Sequence, residues 1–322
     1  MPDYFPEILE LLDESFSLAI SYFINPGKRI YFIYLLSSGI LAFIVYKRSK
    51  IKSSFWKYLF NRKVWMTKSA FVDYSLFIFN SLIKTLFVVP YVFLSLYIAF
   101  YVNDFLLQNF GFIEDPFSKT LTIILYTAAL TITNDLFSYL IHYLMHKVSF
   151  LWEFHKIHHS ATKLNPLTQY RIHPIELIIN NIRSILVFGF ITGIFDYISA
   201  NEINKLLFLG VNVFSFFFYI LGANLRHSHV KLSYPKFFEY FFISPYQHQI
   251  HHSIEKKHYN KNLGSKLAIW DWIFGTLVLS DKKKKLRFGV VDVNQKYSSF
   301  WYNIYAPFKN ISKNIISYFQ VK

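Results

Sequence analysis

The sequence predicts an all-α, polytopic membrane protein with about four to five transmembrane helices and a cytoplasmic, helical, histidine-rich metal-site cap. Three observations lead there. Of 322 residues, 53% are hydrophobic and 21% aromatic, while only 16% are charged; an ordinary soluble domain carries about 25% charged residues. Five apolar runs approach the roughly 20 residues that a membrane helix needs. All twelve histidines fall between His142 and His258.

The runs are Ile30 to Tyr46, Tyr74 to Tyr101 (interrupted by Lys84 and Pro90), Leu121 to Ile141, Leu177 to Ile198 and Ile203 to Leu221. The polar turn Ser199–Ala200–Asn201–Glu202 makes the last two a hairpin. Lys47, Arg48, Lys50, Lys52 and Lys57 follow the first run, so that loop belongs in the cytoplasm. Residues 102–118 carry Asp104, Glu114 and Asp115 without a cation, so that loop belongs outside. Counting spans then returns both histidine-rich stretches to the cytoplasmic side. The net charge of +15 is clustered beside apolar runs, Lys282 to Lys285 included. That placement reads as contact with lipid head groups rather than nucleic acid. With no cysteine in the chain, disulfides and thiolate-bound metals or iron–sulfur clusters are excluded.

The histidines form three tight sets: His142 and His146; His155, His158 and His159; His248, His251 and His252. The last two sets are nearly the same hexapeptide, HKIHHS and HQIHHS. On a helix, residues three or four apart share a face, so each set can aim imidazoles at a common point. An H-x-x-H-H box can give two ligands to one metal and one to its neighbour. Eight imidazoles exceed the needs of one tetrahedral metal and suit two. From Leu121 to His146 a single helix would run roughly 39 Å, against a hydrocarbon core of about 30 Å. Its last turns, with His142 and His146, should therefore emerge at the interface.

In their order and flanks these boxes resemble the fatty acid hydroxylase / sterol desaturase superfamily of membrane di-iron oxygenases. Asp135 and Tyr139 precede the first box. Asn165–Pro166 and Arg171-x-His173–Pro174-x-Glu176 follow the second, and Arg226–His227–Ser228–His229 precedes the third. Asn262-x-Gly264 and Trp270–Asp271-x-x-Phe274–Gly275–Thr276 close the stretch. The resemblance implies two non-haem irons, O2, a lipid substrate, and a separate electron-donor protein (cytochrome b5-like, ferredoxin-like or a reductase). It implies the metal ligands His142, His146, His155, His158, His159, His227, His248, His251 and His252. His173, Asp135, Asn262 and Asp271 are candidates for further ligands or for holding ligands in place, Asp135 by accepting an imidazole N–H. His229 and His258 are read as bystanders. Relatives often carry Asp where Asn260 stands and Arg where Tyr143 stands; neither is expected to touch a ligand.

The expected organisation is a membrane-anchor region over 1–127, a hydroxylase/desaturase-like catalytic domain over 128–278 and a basic cytoplasmic tail over 279–322. The implied activity is O2-dependent hydroxylation or desaturation of a lipid C–H bond, hydroxylation being favoured. A His-ligated haem or quinol protein would place isolated His pairs within the spans. A metal transporter would place ionisable residues at mid-span, where these spans have few.

Overall fold

The computed structural model describes residues 5–114, 117–199, 207–208, 211–281, 285–291 and 295–320. Its longer helices are α1 (Phe5–Ile24), α2 (Phe32–Lys47), α3 (Lys68–Phe87), α4 (Leu94–Phe110), α5 (Lys119–Lys147), α6 (Ser149–His159), α7 (Pro174–Ile198), α8 (Val213–Ile220), α9 (Pro245–His251) and α10 (Phe300–Gln320). The fold is all-α apart from a two-residue antiparallel pairing of Leu207–Phe208 with Val211–Asn212.

Among the described residues three segments are long and apolar enough to cross a membrane: Lys68–Phe110, Lys119–Lys147 and Pro174–Ile198. The first is α3 and α4 joined through the turn Val89–Tyr91. Pro90 lacks an N–H and cannot continue the α3 hydrogen-bond ladder, so the second apolar run is one kinked span. The first apolar run forms α2, whose 16 residues make a shorter apolar helix. For the fifth run, residues 200–206 and 209–210 lie outside the described residues, together with most of the expected turn Ser199–Ala200–Asn201–Glu202. Its described helix, α8, has eight residues. Asp115 and Lys282 to Lys284 also lie outside the described residues.

α4 and α7 run side by side in the same direction, and glycine makes this possible. A Cβ on Gly189 would sit 2.7 Å from the Ser95 carbonyl oxygen, and one on Gly193 2.5 Å from that of Ala99. Small residues four apart let two backbones touch, the usual basis of close helix contact in lipid. On its other side α7 packs against α5 through Tyr126, Leu130, Val187 and Phe195.

α5 is one helix of 29 residues, started by the Ser118 side chain accepting from the Leu121 N–H. No proline or glycine interrupts it, so it extends about 44 Å and carries His142 and His146 in its last two turns. Helix α10 falls where a basic tail was expected. Tyr302 and Ile304 of α10 pack against Val72, Leu76 and Ile157, and Asn310 Nδ2 donates to Glu153 Oε2 at 2.6 Å. Its apolar residues repeat with helical period around Lys309 and Lys313.

Candidate metal centre

Nine imidazoles converge in two groups. His142, His146, His155, His159 and His251 make the first; His158, His227, His248 and His252 make the second. Within each group the ligand atoms lie within 4.8 Å of one another. Each twin box feeds both groups. From the box closing α6, His155 and His159 join the first group and His158 the second. From the box closing α9, His248 and His252 join the second and His251 the first. A helix turns about 100° per residue, so the adjacent histidines that end each box point to different groups, while the first and last stay on one face.

The local sequence fixes both boxes at helix ends. Ser244 and Gln247 form a capping box at the start of α9, with Pro245 in its first turn. That leaves a seven-residue helix that is almost entirely box. α6 starts one residue after α5 ends, which folds the second box back beside the first.

The outer ring nitrogens are held from behind. His142 Nδ1 donates to Leu263 O at 2.7 Å, His155 Nδ1 to Glu176 Oε1 at 2.9 Å, His158 Nδ1 to Arg171 O at 3.3 Å and His251 Nδ1 to Lys261 O at 2.9 Å. A proton fixed on Nδ1 leaves the Nε2 lone pair facing inward. His248 is the exception. Its Nδ1 lies 2.8 Å from a guanidinium nitrogen of Arg226, and a guanidinium can only donate. Nδ1 of His248 is therefore the acceptor, and a neutral His248 carries its proton on Nε2.

Inside, the nitrogens crowd. Nε2 of His142 and His155 are 3.0 Å apart, and Nε2 of His227 lies 3.0–3.3 Å from those of His158, His248 and His252. Nε2 of His146, His159 and His251 are buried without a partner. Burial pushes His155 and His158 down to about 3 and holds His159, His227, His248, His251 and His252 well below the usual imidazole range. These rings are therefore neutral, with inward lone pairs available except at His248, whose Nε2 is freed only if Nδ1 gives up its contact with Arg226. An unsatisfied buried polar atom costs about 1–3 kcal/mol, and a cation in each group would satisfy several at once. The residues present thus fit two metal ions with all-nitrogen ligand sets. Imidazole suits iron, and zinc as well.

Residues 127–276 match the fatty acid hydroxylase family. The chain carries a fatty acid hydroxylase domain. It is also 26% identical over 188 residues to alkylglycerol monooxygenase of Caenorhabditis elegans, an alignment that covers 56% of this chain and 34% of that one. The chain thus spans about a third of that relative's length. No solved structure matches it. With its three long apolar helices, the protein is an integral membrane protein.

Within and around the hydroxylase domain, the residues flanking the boxes act mainly as braces. Arg171 is fully buried and ion-paired with Asp73 at 3.0 Å. It also donates to Ile157 O, Ser160 Oγ, Ser69 O and Tyr297 O, tying α3, the end of α6 and the approach to α10 together. Asp73 also accepts from Asn165 and Thr168. Replacing one partner of such a pair strands a buried charge, at about 3–5 kcal/mol. Asp73→Ala is expected to lower the thermal midpoint of the detergent-solubilised protein sharply; an unchanged midpoint would show that the pair is not structural.

Asp271 accepts from the N–H groups of Leu263 and Gly264 and from Thr276, so it aims the Leu263 carbonyl at His142. Gly264 is needed there, since a Cβ would lie 2.4 Å from Leu267 O. Asn262, in the left-handed region at φ 54°, joins Gln247 O of α9 to Val278. Asp135 differs from expectation. It accepts from the N–H groups of Lys266 and Leu267 and from Trp270 Nε1, not from an imidazole; two turns before His142, it faces the loop rather than the metal groups.

His173 lies outside both groups. It caps α7, its Nδ1 accepting from Ile175 N and its Nε2 lying 3.1 Å from Ile304 O. His229 Nε2 lies 2.8 Å from Tyr58 O, and neither it nor His258 belongs to either group. Asn260, expected to touch no ligand, hydrogen-bonds the His146 side chain.

Nothing in the sequence marks Asp73, and Glu176 stands there only within a motif. The Glu176 carboxylate on His155 has a direct consequence. Such partners typically contribute 10–100-fold to metal affinity, so Glu176→Ala should weaken binding by that factor in a chelator competition. Unchanged affinity would remove Glu176 from the site.

Proposed function

We propose that the nine histidines hold two irons and that the protein is an O2-dependent lipid hydroxylase. The observation that carries this reading is the convergence of nine imidazoles, with no carboxylate among them, into adjacent groups of five and four. The hydroxylase domain supports iron as the metal and a lipid as the substrate. Similarity to a protein named alkylglycerol monooxygenase supports insertion of one oxygen atom. The balanced reaction is R–H + O2 + 2e⁻ + 2H⁺ → R–OH + H2O, the electrons coming from a separate reduced donor protein. Breaking an unactivated C–H bond is redox metal chemistry beyond side chains alone, and that is what the irons would supply. The chain's own residues do the rest. A cavity of about 390 Å³ is lined by His142, His155, His158, His227 and His248, and a substrate carbon held in it would lie against both groups. Glu176, Leu263 O and Asn260 keep the rings aligned.

The test is expression of the protein in cells under 18O2, followed by untargeted lipidomics. A lipid gaining one 18O atom is the expected result. A species two hydrogens lighter would make it a desaturase, and no new lipid with fully metallated protein would overturn the reading.

The charge pattern supports a site on the cytoplasmic side. In this cysteine-free chain a cysteine at Glu114 should label only from outside and one at Lys52 only from the cytoplasm; the reverse pattern would invert the topology.

A further inference from the structure

The cavity against the metal groups is unexpectedly cationic. Lys28, Arg29, Lys84, Arg183 and Arg226 line it, against a single carboxylate, Glu176. That carboxylate is already committed, through Oε1, to His155. Among the described residues none of the five cations forms an ion pair. Their partners are neutral: Lys84 Nζ donates to Tyr22 OH at 2.7 Å, Arg183 to Asn134, Arg29 to Tyr219, and Arg226 to Gly264 O, Ser265 O and His248, while the Tyr22 ring faces Lys28 and Lys84 and the Phe218 ring faces Arg29 and Arg226. Nε of both Arg183 and Arg226 is buried with no partner at all, although Arg226 is only 2% exposed.

Such an arrangement is costly unless something compensates it. Half-buried and buried cations repel one another and lose hydration. A cavity that took only an uncharged lipid would gain nothing from them. The five come from four separate places: the turn between α1 and α2, the last turn of α3, α7, and the segment before His227. The fold gathers them around one space instead of dispersing them.

We propose that this cavity binds the anionic head group of the substrate, a phosphate or carboxylate, and that the oxidised carbon lies within a few bonds of it. This rests on the cavity being the substrate site of the hydroxylase proposed above. The second half follows from size. About 390 Å³ sits at the low end of small-ligand cavities, so it takes a head group and its first carbons but not a whole lipid chain. Cations and metal-facing imidazoles share that space, so the carbon reached is near the anion and the rest of the chain extends outward. The reaction is R–CH2–X⁻ + O2 + 2e⁻ + 2H⁺ → R–CH(OH)–X⁻ + H2O, with the reduced donor protein as electron source and X⁻ the anionic end.

Binding tests this without turnover. The metallated protein in nanodiscs is titrated with dodecyl phosphate, with uncharged 1-dodecylglycerol and with inorganic phosphate. Dodecyl phosphate is expected to bind at least about tenfold more tightly than either of the others. Lys84→Met should erase most of that preference, and Lys84→Arg should keep it. Equal affinity for the charged and uncharged amphiphiles overturns the proposal, as does a preference untouched by Lys84→Met. Inorganic phosphate binding as tightly as dodecyl phosphate overturns the lipid assignment in favour of a free-anion site. Where turnover is measured, a hydroxyl far down the chain overturns the positional claim alone. Anion-selective binding with no oxidised product from any lipid would instead overturn the proposed function, leaving the head-group site standing.

Discussion

His227→Ala is expected to lower the bound metal from two ions per chain to about one and to take turnover below detection. The asymmetry of the two groups is the reason. The first has five imidazoles and the second four, so the second has no ligand to spare. Nε2 of His227 sits at its centre, 3.0–3.3 Å from those of His158, His248 and His252. The same result is expected for His158→Ala, although His158 comes from a box whose other two histidines serve the first group. His159→Ala removes one of five and should keep more metal than His158→Ala, its neighbour in sequence. Metal loss should thus follow the spatial groups and not the sequence boxes. Activity should fall in every case, by about 10³-fold or more, because ligands of one site act as a unit and their losses do not add. Elemental analysis beside an O2-uptake assay on the folded variants decides it. His227→Ala protein that keeps two metals would remove His227 from the ligand set, and equal loss from His158→Ala and His159→Ala would undo the division into groups.

Much of this division was legible in the chain, for a simple reason. Helical periodicity is a local rule, and it fixes which residues of an H-x-x-H-H box share a face before any tertiary contact exists. The unbroken α5 was legible on the same basis, as a long apolar run without proline or glycine. What a single sequence cannot show is which distant group meets a given side chain. Asp73 pairs with Arg171 across 98 residues, and nothing near Asp73 in the sequence hints at it. Asp135 sits on the helical ladder of His142 but turns to the 266–270 loop, since a helix face covers a range of directions that only packing resolves. His227 has no box of its own; its place came from resemblance, and its geometry comes from the turn at Gly222 and the short helical stretch Ala223–Arg226. In the sequence Lys84 only interrupts an apolar run and Arg226 only belongs to the motif before the third box. Only the folded chain brings Lys28 and Arg226, separated by most of the sequence, to one space.

Acid is expected to unfold the protein before it strips the metal from the folded site. In the metal-free fold, burial holds His155 and His158 at about 3, whereas an unfolded chain titrates them near 6.5. The sign follows from those two values. Above about pH 6.5 both states are neutral at these positions and the contribution to stability is complete. As pH falls below 6.5 the unfolded chain takes up protons that the folded chain refuses, so stability declines, and it continues to decline until pH approaches 3. Each such proton adds about 1.4 kcal/mol per pH unit to the slope. Bound metal, which also requires neutral imidazole, pushes in the same direction. Between about pH 6.5 and 5 the denaturation midpoint of the purified protein should therefore fall steadily, while metal content and circular dichroism are lost together in one transition. Metal leaving a still-folded protein along a titration curve centred near 6.5 would mean that the imidazoles are open to water, contrary to the burial seen here.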